Sequence, residues 1–237
     1  RLVCGVTRPI LILRPEPAAQ DSLRRCHAAG LQAHICSLFA LTPRAWDVPD
    51  KAEIDALMLT SSNAVRLAGP ALEEWKHLPT YCVGPATAAA AQAAGLHVLA
   101  TGEAGAQALL EDAAAALPPQ SPQRWLWLAG AERTALRCPL AITLDGVTVY
   151  GADPLPIDPM RLAGPAIALV HSSAAARRLA ALAPDRAALS IIAISAATAD
   201  AAGLGWAGIH VAATPQDSAM VAIAANLCQK PDLHGHT

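Results

Sequence analysis

The sequence predicts an α/β protein in which parallel strands are flanked by helices on both sides. Short apolar runs alternate along the chain with alanine-rich stretches of helical character. These runs lack the polar alternation of a half-exposed strand, which is typical of parallel strands covered on both faces. Hydrophobic residues make up 54% of the 237 residues and charged residues 15%, so the chain can bury one large core or two modest ones.

Each apolar run is predicted as a buried strand that leads into a helix. The helical stretches carry matching end signals, because proline favours the first turn of a helix and glycine favours the position after its carboxyl end. Pro85 and Gly95 bound one such helix, and Gly30 closes the helix that follows the first strand. The predicted strands are 10–15, 55–61, 80–84, 124–130, 166–172 and 190–195.

Composition and charge argue against several classes of protein. A net charge of −2 provides no overall basic field for nucleic acid, and an aromatic content of 3% does not suit a base-stacking surface. The six cysteines, from Cys4 to Cys228, form no CxxC pair and no zinc pattern, so we expect mostly buried thiols and no metal. No signal peptide or membrane-spanning run is evident, and we expect a cytoplasmic protein that does not bind membranes.

One segment of the chain, here called b, occurs twice. Residues 60–65 align with residues 171–176. Thr87 then follows the first copy at the same distance at which Thr198 follows the second. Equal spacing together with matching residue types indicates a true repeat.

A second segment, here called a, also has two copies. The interval from Arg14 to Gly30 equals that from Gly130 to Gly146, and each interval lies between two apolar strands. The chain therefore has the order a, b, a′, b′, which predicts an internal duplication. The alternative is that any two strand–helix units resemble each other.

Two stretches rich in proline and aspartate, 39–50 and 150–165, interrupt the pattern and are predicted linkers. If b pairs with a′, one domain is continuous and the other is built from both ends of the chain. The residues alone leave a tandem arrangement equally open. The tail from Lys230 is predicted to fray.

The predicted strands end in turns rich in hydroxyl groups. The first backbone N–H groups of a helix lack internal partners, and the helix dipole favours negative charge at that end. Ligands of open α/β sheets bind where the strands end, so such turns favour a large flexible ligand with several carboxylates or phosphates. The alternative is ordinary helix capping. The residues concerned are Ser61, Ser62, Asn63, Gly84, Thr87, Ser172, Ser173, Ser195 and Thr198.

Familiar catalytic motifs are absent from the sequence: no GxGxxG follows a strand, and neither a P-loop nor a GxSxG elbow occurs. His171 is a conceivable base, but the sequence identifies no partner for it, and a polar strand-end histidine is the simpler interpretation. Tyr150 closes the strand GVTVY at the second linker. Its phenol can donate a hydrogen bond, and the alternative role is packing within the linker.

Taken together, these motifs resemble those of the uroporphyrinogen-III synthase family. Their order along nearly the whole chain is more specific than any single motif. The opening motif can align at Val6 or at Ile10, and the position of Gly30 favours Ile10. The motifs are ILILRPEP, DALMLTSSNAV, YCVGPATAAAAQAAG, WLWLAGAER, LDGVTVY, ALVHSSAAARRL, IIAISAATADAA and AATPQDSAMVAIA.

The resemblance implies two similar α/β domains joined by a two-stranded linker. Residues 1–37 with 155–237 would form a discontinuous domain and residues 50–148 a continuous one, with linkers near 38–49 and 149–154. The family's reaction closes the linear tetrapyrrole hydroxymethylbilane into a ring with loss of water and inversion of the last pyrrole, in heme and siroheme biosynthesis. It implies neither a metal nor an organic cofactor. We expect a monomer, since no long exposed apolar stripe is evident.

The resemblance also assigns roles to individual residues. Tyr150 is the candidate proton donor to the departing hydroxyl group, and Arg14 the candidate partner of a substrate carboxylate. Two positions depart from the usual pattern: His171 stands where the family more often has Thr or Ser, and Ser195 where Gly is common. The implied binding positions are Arg14, Ser61, Ser62, Asn63, Gly84, Thr87, Gly130, Ser172, Ser173, Ser195 and Thr198.

Other functions compete with this one. A two-domain solute-binding protein would share the duplication, and an inactive paralogue would share every motif. A nucleotide-sugar transferase is disfavoured because no acidic metal-binding pair follows a strand.

Overall fold

The computed structural model describes residues 8–47, 49–118 and 120–229. Cys4, the alternative motif start at Val6 and the tail from Lys230 lie outside these residues. The strands are β1 Ile10–Ile12, β2 Ala33–Ile35, β3 Phe39–Pro43, β4 Ala56–Leu59, β5 Pro79–Val83, β6 His97–Gly102, β7 Gln123–Gly130, β8 Ile142–Pro154, β9 Ala166–Val170, β10 Leu189–Ala193 and β11 Gly208–Val211. The helices are α1 Ala18–Ala28, α2 Ser62–Leu67, α3 Pro85–Ala93, α4 Ala106–Ala116, α5 Ser173–Leu182, α6 Ala196–Ala202 and α7 Asp217–Gln229. Every strand predicted from an apolar run is present.

The chain divides into two compact units. Unit 1 contains the residues up to Ala40 together with those from Asp153 onward, and unit 2 is Leu41–Ala152. Unit 1 holds a five-stranded sheet in the order β11-β10-β9-β1-β2, in which all neighbours are parallel. The second sheet has the order β3-β8-β7-β4-β5-β6, and its strands from β8 to β6 are parallel. The α/β class predicted from the sequence is confirmed.

The two divisions between the units fall inside β3 and β8, which are neighbours in the second sheet. The backbone N–H of Arg44 donates to the carbonyl of Val149, and that of Leu155 donates to Leu38. Residue numbers therefore fall along β8 as they rise along β3, which makes the pair antiparallel. The stretches predicted as linkers thus consist in part of paired strand.

Both faces of the unit 1 sheet are covered by helices. Successive residues of a strand point to opposite faces, and in and just after β1 these residues enter different cores. Ile10 and Ile12 pack with α1 and α7, whereas Leu11 and Leu13 pack with α5 and α6. Because both faces of the strand are buried, its sequence shows no alternation of polar and apolar residues.

Unit 2 repeats the arrangement around β4. Ala56 and Met58 pack with α4, and Leu57 and Leu59 pack with α2 and α3. The edge strands β6 and β11 alternate instead between exposed and half-buried residues. Helical cover on both faces is therefore complete only over the central strands, whose carboxyl ends carry the candidate site.

The prediction that most thiols are buried fits Cys26, Cys36 and Cys82, but Cys138 is exposed. Burial raises the pKa of the Cys26 thiol to about 11 and that of Cys82 to about 11. These thiols act as small apolar side chains of the core. Along the described chain, no helix is both long and apolar enough to cross a membrane.

Candidate active site

The predicted site residues of unit 2 lie at the carboxyl ends of its parallel strands. Ser61, Ser62 and Asn63 follow β4, and Gly84 with Thr87 follows β5. Gly130 ends β7, and Tyr150 lies opposite it in the register of β8. Because parallel strands end at one edge of a sheet, these turns lie close together although they are far apart in the sequence.

Ser61 is the N-terminal cap of α2. Its Oγ accepts a hydrogen bond of 3.2 Å from the backbone N–H of Asn63. A serine hydroxyl that accepts one bond still has its own proton to donate, so capping and ligand binding are compatible. Asn63 in turn accepts a bond of 3.1 Å from Arg66, which orients its amide.

Gly84 begins α3 with a backbone φ of +80°, a conformation that side-chain-bearing residues rarely adopt. A Cβ added there would meet nothing within 4 Å, so the backbone at this turn faces open space. The N–H of Gly84 is taken by the carbonyl of Gly102 at 2.8 Å. Thr87, one turn into α3, is buried at 5% exposure.

Tyr150 lies with its ring directly against Gly130. A Cβ on Gly130 would come within 2.8 Å of Tyr150 Cζ and 2.9 Å of its hydroxyl oxygen. The ring also packs on the apolar core formed by β4, α2 and α3, and Tyr150 is half-buried. Its hydroxyl has no hydrogen-bond partner among the described residues. These contacts on both sides hold the ring in place.

Arg133 lies beside the candidate site residues, and the sequence motifs did not single it out. It follows β7, and its Nη1 donates to the Gly130 carbonyl at 3.2 Å and to Thr148 Oγ1 at 2.8 Å. Its guanidinium carbon lies 5.4 Å from the centroid of the Trp127 ring, in a cation–π contact. The exposed cation is thereby held beside Gly130. An arginine three residues past a predicted strand end was the available sequence signal.

The unit 1 residues form a second group at the ends of β9 and β10. Ser172 caps α5 by accepting 3.1 Å from Ala175 N–H, and Ser195 caps α6 by accepting 3.3 Å from Thr198 N–H. The hydroxyls of Ser195 and Thr198 are 3.1 Å apart, and Ser173 donates to the carbonyl of Ala197 at 3.3 Å. Three of the predicted turns therefore contain a capping serine, as the alternative interpretation expected.

Arg14 lies at the same edge, just after β1. Its Nη1 is 3.7 Å from Asp217 Oδ1 and 3.5 Å from Ser22 Oγ. Burial lowers the pKa of Arg14, and the nearby Asp217 opposes that shift. Its Nε and Nη2 have no hydrogen-bond partner in the described part of the chain, so half of the guanidinium fork is open.

His171, for which the sequence identified no partner, has one in Asp217. The distance from His171 Nε2 to Asp217 Oδ1 is 2.7 Å, and both side chains are less than a tenth exposed. Burial lowers the pKa of His171, partly offset by its bond to Asp217. The pKa of Asp217 would be raised by burial, but hydrogen bonds from His171 and Ser22 hold it well below the ordinary range.

The structure thus brings the predicted residues together in two sets, one at the strand ends of each unit. Each set combines hydroxyls, helix N-termini and one arginine, which is a suitable set of donors for carboxylates. Over the residues that the structure describes, no group of His, Cys, Asp and Glu could hold a metal ion.

Fold and donors define an α/β protein of two units whose strand ends suit an anionic ligand. A family model described as uroporphyrinogen-III synthase HemD matches residues 21–222. Since this span is most of the chain, the protein belongs to the uroporphyrinogen-III synthase family. That family places it among the enzymes of tetrapyrrole synthesis, with a small-molecule tetrapyrrole as substrate.

Solved structures of low sequence identity share the fold. Uroporphyrinogen-III synthetase from Helicobacter pylori is 18% identical with a TM-score of 0.64, over 93% of this chain and 99% of that chain. A mutant uroporphyrinogen III synthase from Thermus thermophilus is 16% identical with a TM-score of 0.51, over 94% of this chain and 99% of that one. No curated protein matches the sequence significantly.

Proposed function

We propose that this chain closes hydroxymethylbilane into uroporphyrinogen III, with loss of water and inversion of the last pyrrole ring. The observation that carries the proposal is the family match over residues 21–222. The reaction is a hydro-lyase step. A carbon–oxygen bond breaks at the hydroxymethyl group, and the hydroxyl takes up a proton and leaves as water. The freed carbon bonds to the substituted carbon of the last pyrrole. The bond from that pyrrole carbon to the neighbouring bridge then breaks and re-forms at the unsubstituted carbon of the same pyrrole, which loses its proton, so the net loss is one water.

The main role of the protein in this reaction is to position the linear tetrapyrrole. Hydroxymethylbilane is already reactive and closes without inversion when left alone. The last ring must be held so that it attacks through its substituted carbon, by way of a spiro intermediate. Positioning of reacting groups can be worth several kcal/mol without any unusual side chain.

Tyr150 is the proposed acid of the first step. Its ring is fixed against Gly130, and its hydroxyl has no bond to any described residue, so the phenol can hydrogen-bond to the departing hydroxyl group. A positioned proton donor typically accelerates a reaction by about 10²–10⁴-fold. Loss of the hydroxyl as water leaves an electrophilic carbon, which the last pyrrole attacks.

The substrate carboxylates are the proposed ligands of the strand-end groups. Arg14, Ser172, Ser173, Ser195 and Thr198 would serve in unit 1. The unit 2 set is Ser61, Ser62, Asn63, Gly84, Thr87 and Gly130, with Arg133 added from its position beside Gly130. Ser61 and Ser172 keep their own hydroxyl proton for this purpose. The bonded hydroxyls of Ser195 and Thr198 keep one between them.

A product assay tests the proposal. The protein is mixed with freshly made hydroxymethylbilane, the products are oxidised, and the porphyrin isomers are separated by chromatography. We expect the type III isomer to dominate over the spontaneous type I. Type I alone, from a folded protein, would instead favour an inactive paralogue or a binding protein for polycarboxylates.

We further propose that the protein acts as a monomer in the cytoplasm. Few large apolar side chains are exposed in the described chain, and single exposed apolar residues are normal on a protein surface. They are Leu99, Leu140, Met160, Leu204, Ile209 and Val211. Sedimentation of the purified protein gives its mass directly.

A further inference from the structure

Asp217 is the centre of a polar cluster in unit 1 that the proposed function does not yet use. It is the first residue of α7, and its side chain is only 9% exposed. Its Oδ1 accepts from Ser22 at 2.7 Å and contacts His171 Nε2 at 2.7 Å. Its Oδ2 accepts from Arg25 at 2.8 Å, and Arg14 Nη1 lies 3.7 Å from Oδ1.

The order of groups in this cluster excludes a nucleophilic triad. In such a triad, histidine lies between the serine and the aspartate and removes the serine proton. Here the serine and the histidine both contact the carboxylate itself. Asp217 is therefore an ionised acceptor that several donors hold in place.

The cluster has a net charge of one positive unit, because two arginines share one carboxylate. The guanidinium groups of Arg14 and Arg25 share the single carboxylate of Asp217. Nearby Asp21 is paired with Arg24. His171 is buried with a lowered pKa and is neutral at neutral pH. A ligand carboxylate would complete the charge balance.

Arg14 is the group that such a ligand can reach. It lies at the carboxyl end of β1, and its side chain is 27% exposed. Asp217 and Ser22 engage only its Nη1, which leaves Nε and Nη2 without partners among the described residues. Those two nitrogens form one edge of the guanidinium plane, the geometry that binds a carboxylate in a bidentate manner.

We propose that Asp217 is a positioning residue: held by His171 and Ser22, it orients Arg14 so that the free edge of the guanidinium binds a substrate carboxylate. The inference rests on the proposed function for the identity of that carboxylate. Asp217 itself touches no substrate. Its effect is transmitted through Arg14.

A double-mutant cycle tests this coupling. The variants are Asp217→Asn, Arg14→Gln and the two combined, and the measured quantities are KM and kcat for type III formation. We expect Arg14→Gln to raise KM by about tenfold or more, since a hydrogen bond between charged groups is lost. Asp217→Asn should raise KM by a smaller factor, with kcat changed less. The double variant should be no worse than Arg14→Gln alone, because sites that act through one another are not additive.

Two controls separate positioning from a structural role. Arg14→Lys keeps the charge and should recover part of the KM effect. Ser22→Ala removes one donor to Asp217 with little change in shape, and it replaces Asp217→Asn if that variant does not fold. An unchanged KM in Asp217→Asn, or effects that multiply fully with those of Arg14→Gln, would overturn the inference.

Binding gives a readout that does not depend on turnover. The dissociation constant for uroporphyrin III, a stable oxidised polycarboxylate, can be followed by tryptophan fluorescence in the same four proteins. We expect the same non-additive pattern. If the wild type binds but makes no type III isomer, the proposed function fails while the coupling is still measured. Additive or absent effects on binding would reject the role of Asp217.

Discussion

Tyr150 combines a fixed ring with a hydroxyl that bonds to no described residue, and the proposed acid step depends on both. Gly130 provides the space for the ring, since any Cβ there would overlap it. The core around α2 and α3 supports the other side. A hydrogen bond from the phenol to a ligand would therefore cost little side-chain entropy.

Removal of the Tyr150 hydroxyl should slow the reaction without unfolding the protein. We expect Tyr150→Phe to lower the rate of type III formation by about 10²-fold or more, because a general acid is lost. The matched control is Tyr81→Phe, at a buried tyrosine whose ring stacks on Trp125 with centroids 4.1 Å apart. A Tyr150→Phe protein with the wild-type rate would exclude the acid role.

His171 makes the stability of unit 1 depend on pH. Burial lowers its pKa, so the native protein resists the proton that an unfolded histidine binds near about pH 6.5. The unfolded state then binds more protons as the pH falls, and stability falls with it. Asp217 adds a loss at lower pH, since its depressed pKa contributes stability that disappears as its carboxylate becomes protonated.

Replacement of His171 should flatten this dependence. His171→Gln keeps an N–H donor in reach of Asp217 but does not titrate. We expect its free energy of unfolding to fall less than that of the wild type between about pH 7 and 5, where histidine titrates. Denaturant unfolding at several pH values measures this, with the exposed His34→Gln as control. Equal slopes for wild type and His171→Gln would contradict the assignment.

Sequence reasoning at the residue scale found the strand-end hydroxyls but not the partners of His171 and Arg14. Both have their partner in Asp217, which is 46 positions from His171 along the chain. Helix caps and strand ends can be predicted from local sequence patterns, because they depend on residues that are close in the sequence. The sheet places β1 beside β9, which brings Arg14 near His171. Asp217 joins them because α7, which it begins, packs against β1 and α1.

At the scale of elements, the pairing of β7 with β8 builds the Tyr150 position. Gly130 and Tyr150 are register partners across these strands, at a point where the register shifts. The N–H of Ala131 also donates to the carbonyl of Tyr150 at 2.9 Å. The strand pair thus fixes both the backbone and the ring.

A methyl group on Gly130 should disturb this pair. In Gly130→Ala the new Cβ would lie 2.8 Å from Tyr150 Cζ, so the ring must move. We expect a loss of about 1–3 kcal/mol in the free energy of unfolding, typical of overpacking, together with slower type III formation. Gly208→Ala, in the edge strand β11 of unit 1, is the control, since its nearest neighbour is the end of the His210 side chain at 3.2 Å. Thermal unfolding and the isomer assay report the two effects, and equal behaviour of the two variants would refute this packing argument.

The buried strands were predictable because both of their faces are apolar, so that each strand is a continuous run of apolar residues in the sequence. The strand character of β3 and the end of β8 was not, since these stretches contain Pro43, Asp153 and Pro154. Their pairing with each other supplies backbone hydrogen bonds that composition does not reveal. β3 and the end of β8 therefore form paired strands even though their composition is typical of linkers.

At the scale of the whole molecule, the two sheets have corresponding strand orders. The order β2-β1-β9-β10-β11 in unit 1 matches β8-β7-β4-β5-β6 in the second sheet. This correspondence pairs segment a with a′ and segment b with b′, as the sequence spacing does. The internal duplication stays a prediction that the shared order supports, and whether each unit folds as an independent domain stays a prediction as well.

The pairing of segments was the part of the topology that residues alone left open. Unit 1 joins the first a segment to the last b segment, from opposite ends of the chain. Spacing within a repeat constrains neighbouring elements, but it does not say which copy completes which sheet. Only the resemblance to a known family favoured the discontinuous arrangement before the structure did.

The most direct test of the proposed function is the amount of type III isomer formed per protein chain. Hydroxymethylbilane is supplied in large molar excess, and the oxidised isomers are quantified against a protein-free sample. We predict that type III product exceeds the amount of chain many times over, while type I stays at or below its spontaneous level. Type I alone, or type III that never exceeds the amount of chain, would contradict the account, because the protein would then not turn the substrate over.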